Sequence, residues 1–304
     1  MRKNSESMTL LEFQERFTTE EACAEHLFRL RWPNGFICPR CGSTRYFVHS
    51  RRGLWECLNP NCRYQASLTA GTILHRTRTP LRKWFWAMFL MVRQKNGISA
   101  MGLKRLLSVS YQTAWTMMHK LRKAMADRNA RYLLSGIVEM DDSYFGAPRP
   151  GKHGRGADNK AKVLVSVEER GERPGFSAMT VVDSVSGDDL ADAAATQVAE
   201  GQTIKTDGLN SFRTVAKKGK HQHNRKVISG DKAHKVLPWV HVLVGNMKKL
   251  LQGTYHGVSI KHLTRYLHEF NYLTNRRFIE SELFDALWIA VMTTTTITYS
   301  ELTG

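Results

Sequence analysis

The sequence has few acidic residues and no long apolar run. Asp and Glu number 27 against 45 Lys and Arg, which gives a formal net charge of +18. The longest strongly apolar run covers nine residues, 84–92, and is bounded by Lys83 and Arg93. A membrane-spanning helix needs about 20 such residues, and the first residues lack the apolar segment of a secretory signal, so we expect a cytoplasmic protein without a membrane partner. Because 42% of the residues are hydrophobic, disorder is excluded as the main state, and the positive excess favours a polyanionic partner.

The positive charge is concentrated in residues 71–135, which hold 13 Lys and Arg but a single acid, Asp127. Three helices are predicted over residues 80–127, the last two separated by the turn 108–110. A short helix, a tight turn and a longer basic helix are typical of a helix-turn-helix unit that binds DNA. The predicted DNA contacts lie on the third helix: Gln112, Thr113, Thr116, Lys120, Arg122 and Lys123. Two other interpretations stay open, a solvated basic face and a plain three-helix bundle.

Four of the five cysteines form two closely spaced pairs. Cys38 and Cys41 are separated by two residues, and Cys57 and Cys62 by four. Two such pairs, set in short aromatic and β-branched segments, predict a zinc ribbon in which four thiolates bind one structural Zn²⁺. Four protein ligands leave no open position for catalysis. A redox dithiol would explain one pair only, and Cys23 is interpreted as a small buried hydrophobe.

The composition changes at residue 135, and the following segments predict a mixed α/β sheet. Three strands, a crossover helix and a further strand follow one another, and the chain is mainly helical from Val236. The predicted strands are 136–142, 162–167, 176–182 and 203–208, with the helix over 188–199. The whole chain then divides into a helical segment (1–34, with a helix over 9–30), the zinc ribbon (35–70), the helix-turn-helix-like region (71–134) and the α/β domain with its helical tail (135–304).

Two aspartates stand where predicted strands end. Asp141 closes the first strand and Asp207 closes the fourth. If these strands are neighbours, both carboxylates lie at one edge of the sheet, where they could hold Mg²⁺ or Mn²⁺ against a phosphate. Each aspartate could instead be a strand-end cap or a turn former, particularly Asp207, which precedes a glycine.

Four segments in order carry a resemblance to a known family: residues 32–42, 138–146, 253–258 and 266–277. The chain resembles the small bacterial insertion-sequence transposases, which join a zinc ribbon to a ribonuclease-H-like DDE catalytic domain. The resemblance covers residues 10–290. It implies a nucleoid-associated enzyme that binds the terminal inverted repeats of its element, cleaves 3′ ends and joins them to target DNA. It also implies catalytic Mg²⁺ or Mn²⁺ and a homodimer or higher oligomer that pairs two DNA ends.

By this resemblance Asp141 and Asp207 are the first two catalytic carboxylates, and the third position departs from the common pattern. Many relatives have a Glu there, followed seven positions later by a Lys. Here His241 lies 34 residues after Asp207 and seven before Lys248. Asn246 is the second candidate, because some relatives use His or Asn.

A histidine ligand removes one negative charge and favours softer ions, so Mn²⁺ should suit the site better than Mg²⁺. His241 could instead be a core histidine. Lys248 and Lys249 are expected to contact DNA phosphate or the terminal base, or to belong to a solvated basic face. Glu269, the main competing carboxylate of the tail, is expected either to be exposed or to belong to an amphipathic helix.

Two other functions remain as alternatives to the implied activity. A DNA-binding regulator or decayed transposase copy would bind DNA without nicking it, and a metal-dependent nuclease of the same fold would cut without joining. No arginine–tyrosine constellation typical of tyrosine recombinases is identifiable in the sequence.

Overall fold

The computed structural model describes residues 7–146, 160–227 and 236–304, and the chain forms two compact units. Of the described residues, the first comprises 7–94, 100–124 and 279–304, and the second 95–99, 125–146, 160–227 and 236–278. The end of the chain, which the sequence analysis assigned to the α/β domain, therefore groups with the first unit. Residues 1–6 of the expected helical segment lie outside the described residues.

The first unit begins with two short helices, α1 (Leu10–Arg16) and α2 (Glu20–Arg31). The single helix expected over 9–30 was wrong, because the chain leaves helical geometry at Phe17 and starts again. Thr9 and Thr19 cap the two helices, accepting the backbone N–H of Glu12 and Ala22 respectively.

A three-stranded antiparallel sheet follows, with order β1-β2-β3. Its strands are β1 (Tyr46–His49), β2 (Leu54–Cys57) and β3 (Gln65–Ser67). Trp55 of β2 is 8% exposed and lies 5.7 Å from the ring of Phe28 in α2. The small sheet therefore completes its core with side chains from α2, as a module of this size must.

Three helices then occupy the basic region: α3 (Leu81–Arg93), α4 (Ala100–Leu107) and α5 (Tyr111–Asn129). Their order, with the turn at 108–110, agrees with the prediction. The start of α3 differs, because Pro80 is the N-cap residue rather than the first helical residue. The carboxylate of Glu20 accepts the N–H groups of Leu81 and Arg82 at 2.5 and 3.1 Å and so caps α3 from another helix.

The second unit contains a mixed sheet of order β6-β5-β4-β7-β8. Strands β4, β5 and β6 are antiparallel, whereas β4, β7 and β8 are parallel. Their bounds are β4 Ile137–Phe145, β5 Ala161–Arg170, β6 Arg173–Val182, β7 Thr203–Thr206 and β8 Gln222–Arg225. The sequence analysis missed β8, whose residues Gln-His-Asn-Arg show no apolar alternation.

Helices cover both faces of this sheet. On one face α6 (Gly187–Ala195) and α7 (Ser211–Lys218) pack on a core that includes Val138 and Ile204. On the other, α8 (Pro238–Gly253) and α9 (Ile260–Asn275) pack on a core that includes Phe145 and Val165. The architecture agrees with the ribonuclease-H-like domain that the resemblance implied.

Two further helices, α10 (Leu283–Thr293) and α11 (Tyr299–Thr303), return to the first unit. Phe284 of α10 lies 5.6 Å from the ring of Phe13, and Trp288 lies 4.2 Å from Phe85. The helical tail is thus confirmed, and its aromatic face completes the core of the first unit. Among the described residues, no helix is both long and apolar enough to cross a membrane.

Candidate active site and metal centres

The parallel pairing of β4 with β7 brings the two predicted catalytic aspartates together. The register runs from Ile137 with Thr203 to Met140 with Thr206. Asp141 and Asp207 are therefore each the next residue after this last pair, but Asp207 lies in the loop that follows β7. The expectation that Asp141 closes its strand was wrong, because β4 continues to Phe145. Because successive side chains alternate between faces, and Met140 belongs to the α6–α7 core, Asp141 lies on the face that carries α8.

The loop that carries Asp207 is held from two sides. Asp207 Oδ1 accepts the N–H of Leu209 at 2.9 Å, a local turn of the kind that aspartate favours. Arg225 of β8 donates to the carbonyl of Gly208 and, at 3.1 Å, to Asn210 Oδ1. The turn-former interpretation and the ligand interpretation of Asp207 are thus compatible, since the turn fixes the direction of the carboxylate.

Helix α8 places His241 and Lys248 on one side. Seven residues correspond to nearly two turns, so these side chains differ by about 20° around the helix, whereas Asn246 lies about 140° from His241. Lys248 Nζ lies 5.6 Å from the ring centroid of Phe145 in β4. His241 is half-buried, whereas Asn246, Lys248 and Lys249 are exposed. The contact with Phe145 places Lys248 beside β4, and His241 shares its side of the helix, which Asn246 does not.

Burial and the neighbouring cation Lys160 lower the pKa of Lys248. Two ammonium groups that repel each other favour a bound anion, and a DNA phosphate is such an anion. This electrostatic setting agrees with the phosphate contact expected of Lys248.

The ligand atoms of Asp141, Asp207 and His241 do not all lie within 4.8 Å of one another; in the described part of the chain, only the four cysteines form such a group. In a site that holds two ions about 4 Å apart, the ligands of one ion lie further from those of the other than the ligands of a single ion lie from each other. Two carboxylates and one imidazole suit Mg²⁺ or Mn²⁺ in ligand type.

The four cysteines predicted to bind zinc converge between the strands of the ribbon. The Sγ atoms of Cys38 and Cys62 are 3.8 Å apart, and those of Cys41 and Cys57 are 3.5 Å apart. A tetrahedral ion with Zn–S bonds of about 2.3 Å requires S···S separations near 3.8 Å, so the site fits Zn²⁺. Gly42 follows the first pair with a φ of +74°, the left-handed conformation that its tight turn needs.

The thiols of this cluster differ in acidity. A backbone hydrogen bond at Ser43 lowers the pKa of Cys41 to about 7, and burial raises the pKa of Cys62 to about 11. Zn²⁺ binds thiolates, so metal binding would displace the protons of all four. Cys23, outside the cluster, is fully buried in α2, and its burial raises its pKa to about 12.

The predicted DNA contacts on α5 divide into two groups. Gln112 is exposed, Thr113 and Thr116 are partly exposed in the first turns of the helix, and Lys123 is partly exposed further along it. The hydroxyl of Ser110 lies 2.8 Å from that of Thr113 and accepts the Thr113 N–H at 3.0 Å, which caps α5.

Two other residues of that prediction are placed differently. Arg122 is only 1% exposed and lies 3.4 Å from His119, so its guanidinium faces the protein interior. Lys120 Nζ donates to the carbonyl of Ile73 and to Thr296 Oγ1 at 3.2 and 3.0 Å. The positions of Lys120 and Arg122 disagree with a role in DNA contact, because both cations are used inside the first unit.

The C-terminal family segments have structural roles. Asn275 of α9 bonds both backbone groups of Ser177 in β6, accepting its N–H at 2.8 Å and donating to its carbonyl at 2.9 Å. Arg277 donates to the carbonyl of Pro174 at 2.5 Å. Glu269 is 1% exposed and accepts from Tyr255 Oη at 3.3 Å, so the exposed position expected for it was wrong.

One buried carboxylate near the aspartates was missed by the sequence analysis. Glu139 lies two residues before Asp141 on the same face and is fully buried. Burial raises its pKa, and the N–H groups of Val240 and Trp239 with Lys205 oppose that shift. Its charge between the apolar residues Val138 and Met140 was the available signal, because a buried carboxylate needs partners.

Comparison with known proteins places these features in a family. Residues 133–275 match the model of the ISXO2-like transposase domain, and residues 18–65 match that of the transposase zinc-ribbon domain. A relative described as "Uncharacterized protein in transposable element ISH50", from Halobacterium salinarum (strain ATCC 700922 / JCM 11081 / NRC-1), is 28% identical over 213 residues. That alignment covers 64% of this chain and 70% of the relative.

The ribbon and the mixed sheet together define a DNA-binding protein of the transposase type. The chain belongs to the insertion-sequence transposases that carry an N-terminal zinc ribbon.

Proposed function

We propose that this transposase binds the terminal inverted repeats of its element, cleaves their 3′ ends and transfers them to target DNA at one metal-dependent site. The observation that carries the proposal is the parallel register of β4 with β7, since Asp141 and Asp207 each follow its last pair and Asp141 lies on the face covered by α8. His241 of α8 would complete a set of three ligands.

The residues have distinct roles in this proposal. Asp141, Asp207 and His241 would hold Mg²⁺ or Mn²⁺, with Mn²⁺ preferred because one ligand is an imidazole. The bound ions would activate the attacking oxygen and stabilise the leaving one. Lys248 neutralises a phosphate beside the scissile bond, and Lys249, which is exposed, contacts the DNA backbone further along α8.

DNA positioning rests on the first unit. Gln112, Thr113, Thr116 and Lys123 at the start and middle of α5 contact the element end, and the zinc ribbon supports binding without taking part in the chemistry. Two ends must be brought together for integration, so the active form is a homodimer or a higher oligomer assembled on nucleoid DNA.

A strand-transfer assay with purified protein, Mn²⁺ and labelled element ends tests the proposal. We expect Asp141→Ala and Asp207→Ala to abolish cleavage while gel-shift binding of the end remains. Asp192→Ala is the control, since this α6 carboxylate is 78% exposed on the opposite face. Cleavage by either active-site variant would overturn the assignment.

The same assay separates the competing functions. Binding by the wild-type protein without nicking would indicate a regulator or an inactive copy. Nicking without joined products would indicate a nuclease.

A further inference from the structure

A buried glutamate ties the start of α8 to the strand that carries Asp141. Glu139 Oε2 accepts the N–H of Trp239 at 2.9 Å and that of Val240 at 3.1 Å. The first N–H groups of a helix have no partner within the helix, and the N-cap residue Leu237 supplies no side-chain bond. A carboxylate from the sheet therefore caps α8 and complements its dipole.

The same glutamate also meets the strand that carries Asp207. Lys205 pairs with Glu139 in the parallel register, and its Nζ lies 3.7 Å from Glu139 Oε1. Lys205 also lies 3.0 Å from Glu169 Oε2 of β5, so the cation is shared by two carboxylates. The network thus joins three strands and one helix.

Each predicted site residue follows a member of this network closely along the chain. Asp141 comes two residues after Glu139 on the same face of β4, and Asp207 comes two residues after Lys205, in the loop that follows β7. His241 comes one residue after Val240, whose N–H is held by Glu139. We propose that Glu139 is a positioning residue that sets α8, and with it His241, against Asp141 and Asp207.

Packing alone does not account for a carboxylate here. Burying a charge costs free energy unless it is paired and hydrogen-bonded, and an apolar side chain of similar size usually serves a core equally well. Glu139 gives directional bonds to two specific N–H groups, which fix the position of α8 along the strand as an apolar contact cannot. Sites that bind metals depend on such fixed geometry.

Glu168 provides a matched control within the same sheet. It is 1% exposed and accepts from Tyr132 Oη at 2.6 Å and from Arg170 Nη2 at 2.6 Å. It is another buried carboxylate in a hydrogen-bond network, but these two hydrogen-bond partners lie on neither α8 nor β7. Loss of Glu168 should therefore cost stability without disturbing the metal ligands.

The experiment follows Mn²⁺ binding to the zinc-loaded, full-length protein by thermal stabilisation, together with amide hydrogen exchange of the first turn of α8. We expect Glu139→Ala to raise the Mn²⁺ concentration for half-maximal stabilisation by about 10- to 100-fold. Exchange at Trp239 and Val240 should accelerate in the same variant. Glu139→Gln should restore most of both properties, because its amide oxygen still accepts a hydrogen bond. Glu168→Ala should lower the melting temperature and leave the Mn²⁺ midpoint unchanged.

If Glu139→Ala does not fold, Glu139→Asp replaces it. This variant keeps the charge but is one methylene shorter, so it cannot reach both N–H groups, and we expect the midpoint to rise by about 3-fold or more. An unchanged midpoint with unchanged exchange in the Glu139 variants would overturn the positioning role.

The inference rests on the proposed function, and Asp141→Ala distinguishes the two failures. If Asp141→Ala leaves Mn²⁺ stabilisation intact, the proposed metal site is wrong. If Asp141→Ala abolishes stabilisation while Glu139→Ala and Glu139→Asp match the wild type, the metal site stands and the positioning role fails.

Discussion

Asp141 and Asp207 each follow directly after the last backbone pair of β4 with β7, Met140 with Thr206. They are 66 residues apart in the chain and come from segments separated by a hairpin and a helix. The parallel pairing thus brings two distant segments to one end of the same ladder, with Asp141 inside β4 and Asp207 in the loop after β7. The alternation of side chains along β4 puts Asp141 on the face that carries α8.

The alternation along β4 predicts a difference between two adjacent aspartates. Asp141 faces α8, whereas Asp142 faces the α6–α7 core. We expect Asp141→Asn to abolish end cleavage and Asp142→Asn to retain it within about 10-fold, since only the former removes a ligand. Gel-based cleavage of labelled ends measures both. A larger loss of cleavage in Asp142→Asn than in Asp141→Asn would show that Asp142, and not Asp141, faces the metal site.

Much of this arrangement was predictable from the sequence, and the parts that were not have physical reasons. The cysteine spacing predicted the ribbon, because that signal is local. The end of β4 was placed three residues too early, so Asp141 lies inside its strand and not at its end. The capping of α8 by Glu139 was not predictable, since it joins residues 100 positions apart. Arg122 was misplaced because its charge suggested a surface position, although it lies four residues after the buried Met118 and three before the buried Met125, on the inward side of α5.

The directions of the side chains around α8 predict that His241, and not Asn246, is the third metal ligand. His241 shares a side with Lys248, and Asn246 lies about 140° away on an exposed side. We expect His241→Ala to reduce Mn²⁺-dependent cleavage by about 100-fold or more, and Asn246→Ala to change it less than about 3-fold. His241→Glu should shift the preferred ion from Mn²⁺ toward Mg²⁺, because it restores a hard oxygen ligand. A larger loss in Asn246→Ala than in His241→Ala would reassign the ligand.

The ribbon predicts one tightly bound zinc ion per chain. We expect the purified protein to release one equivalent of Zn²⁺ when its thiols are modified, as a metallochromic dye would measure. Cys57→Ser should lose the ion and expose Trp55, seen as a red shift of tryptophan emission, because the module folds around its metal. Cys23→Ser, which changes a buried thiol outside the cluster, should keep the full zinc content. Equal zinc in both variants would exclude the four-cysteine site.

Because Arg122 is buried, we expect its replacement to lower the stability of the protein and to leave its DNA affinity unchanged. Arg122→Ala removes a buried side chain beside His119, and we expect a decrease of about 2 kcal/mol or more in the free energy of unfolding. The salt dependence of DNA binding should not change, since no phosphate contact is lost. Gln112→Ala, at an exposed position, should weaken end binding by about 5-fold or more while the melting temperature stays the same. Denaturation and gel-shift titrations across salt concentrations separate the two effects.

The burial of His26 predicts that the first unit becomes less stable as the pH falls. It lies among aromatic rings, 5.6 Å from Phe85 and 6.3 Å from Trp288, and burial lowers its pKa, an effect that Asp285 partly opposes. A lowered pKa means that the folded state disfavours the protonated ring. Its contribution to stability is therefore complete above the unfolded pKa of about 6.5 and decreases as the pH falls below it. We expect His26→Gln to show a smaller fall in melting temperature between pH 7.5 and 5.5 than the wild type. His256→Asn, at an exposed position with a φ of +52° that asparagine accepts, is the control and should reproduce the wild-type fall.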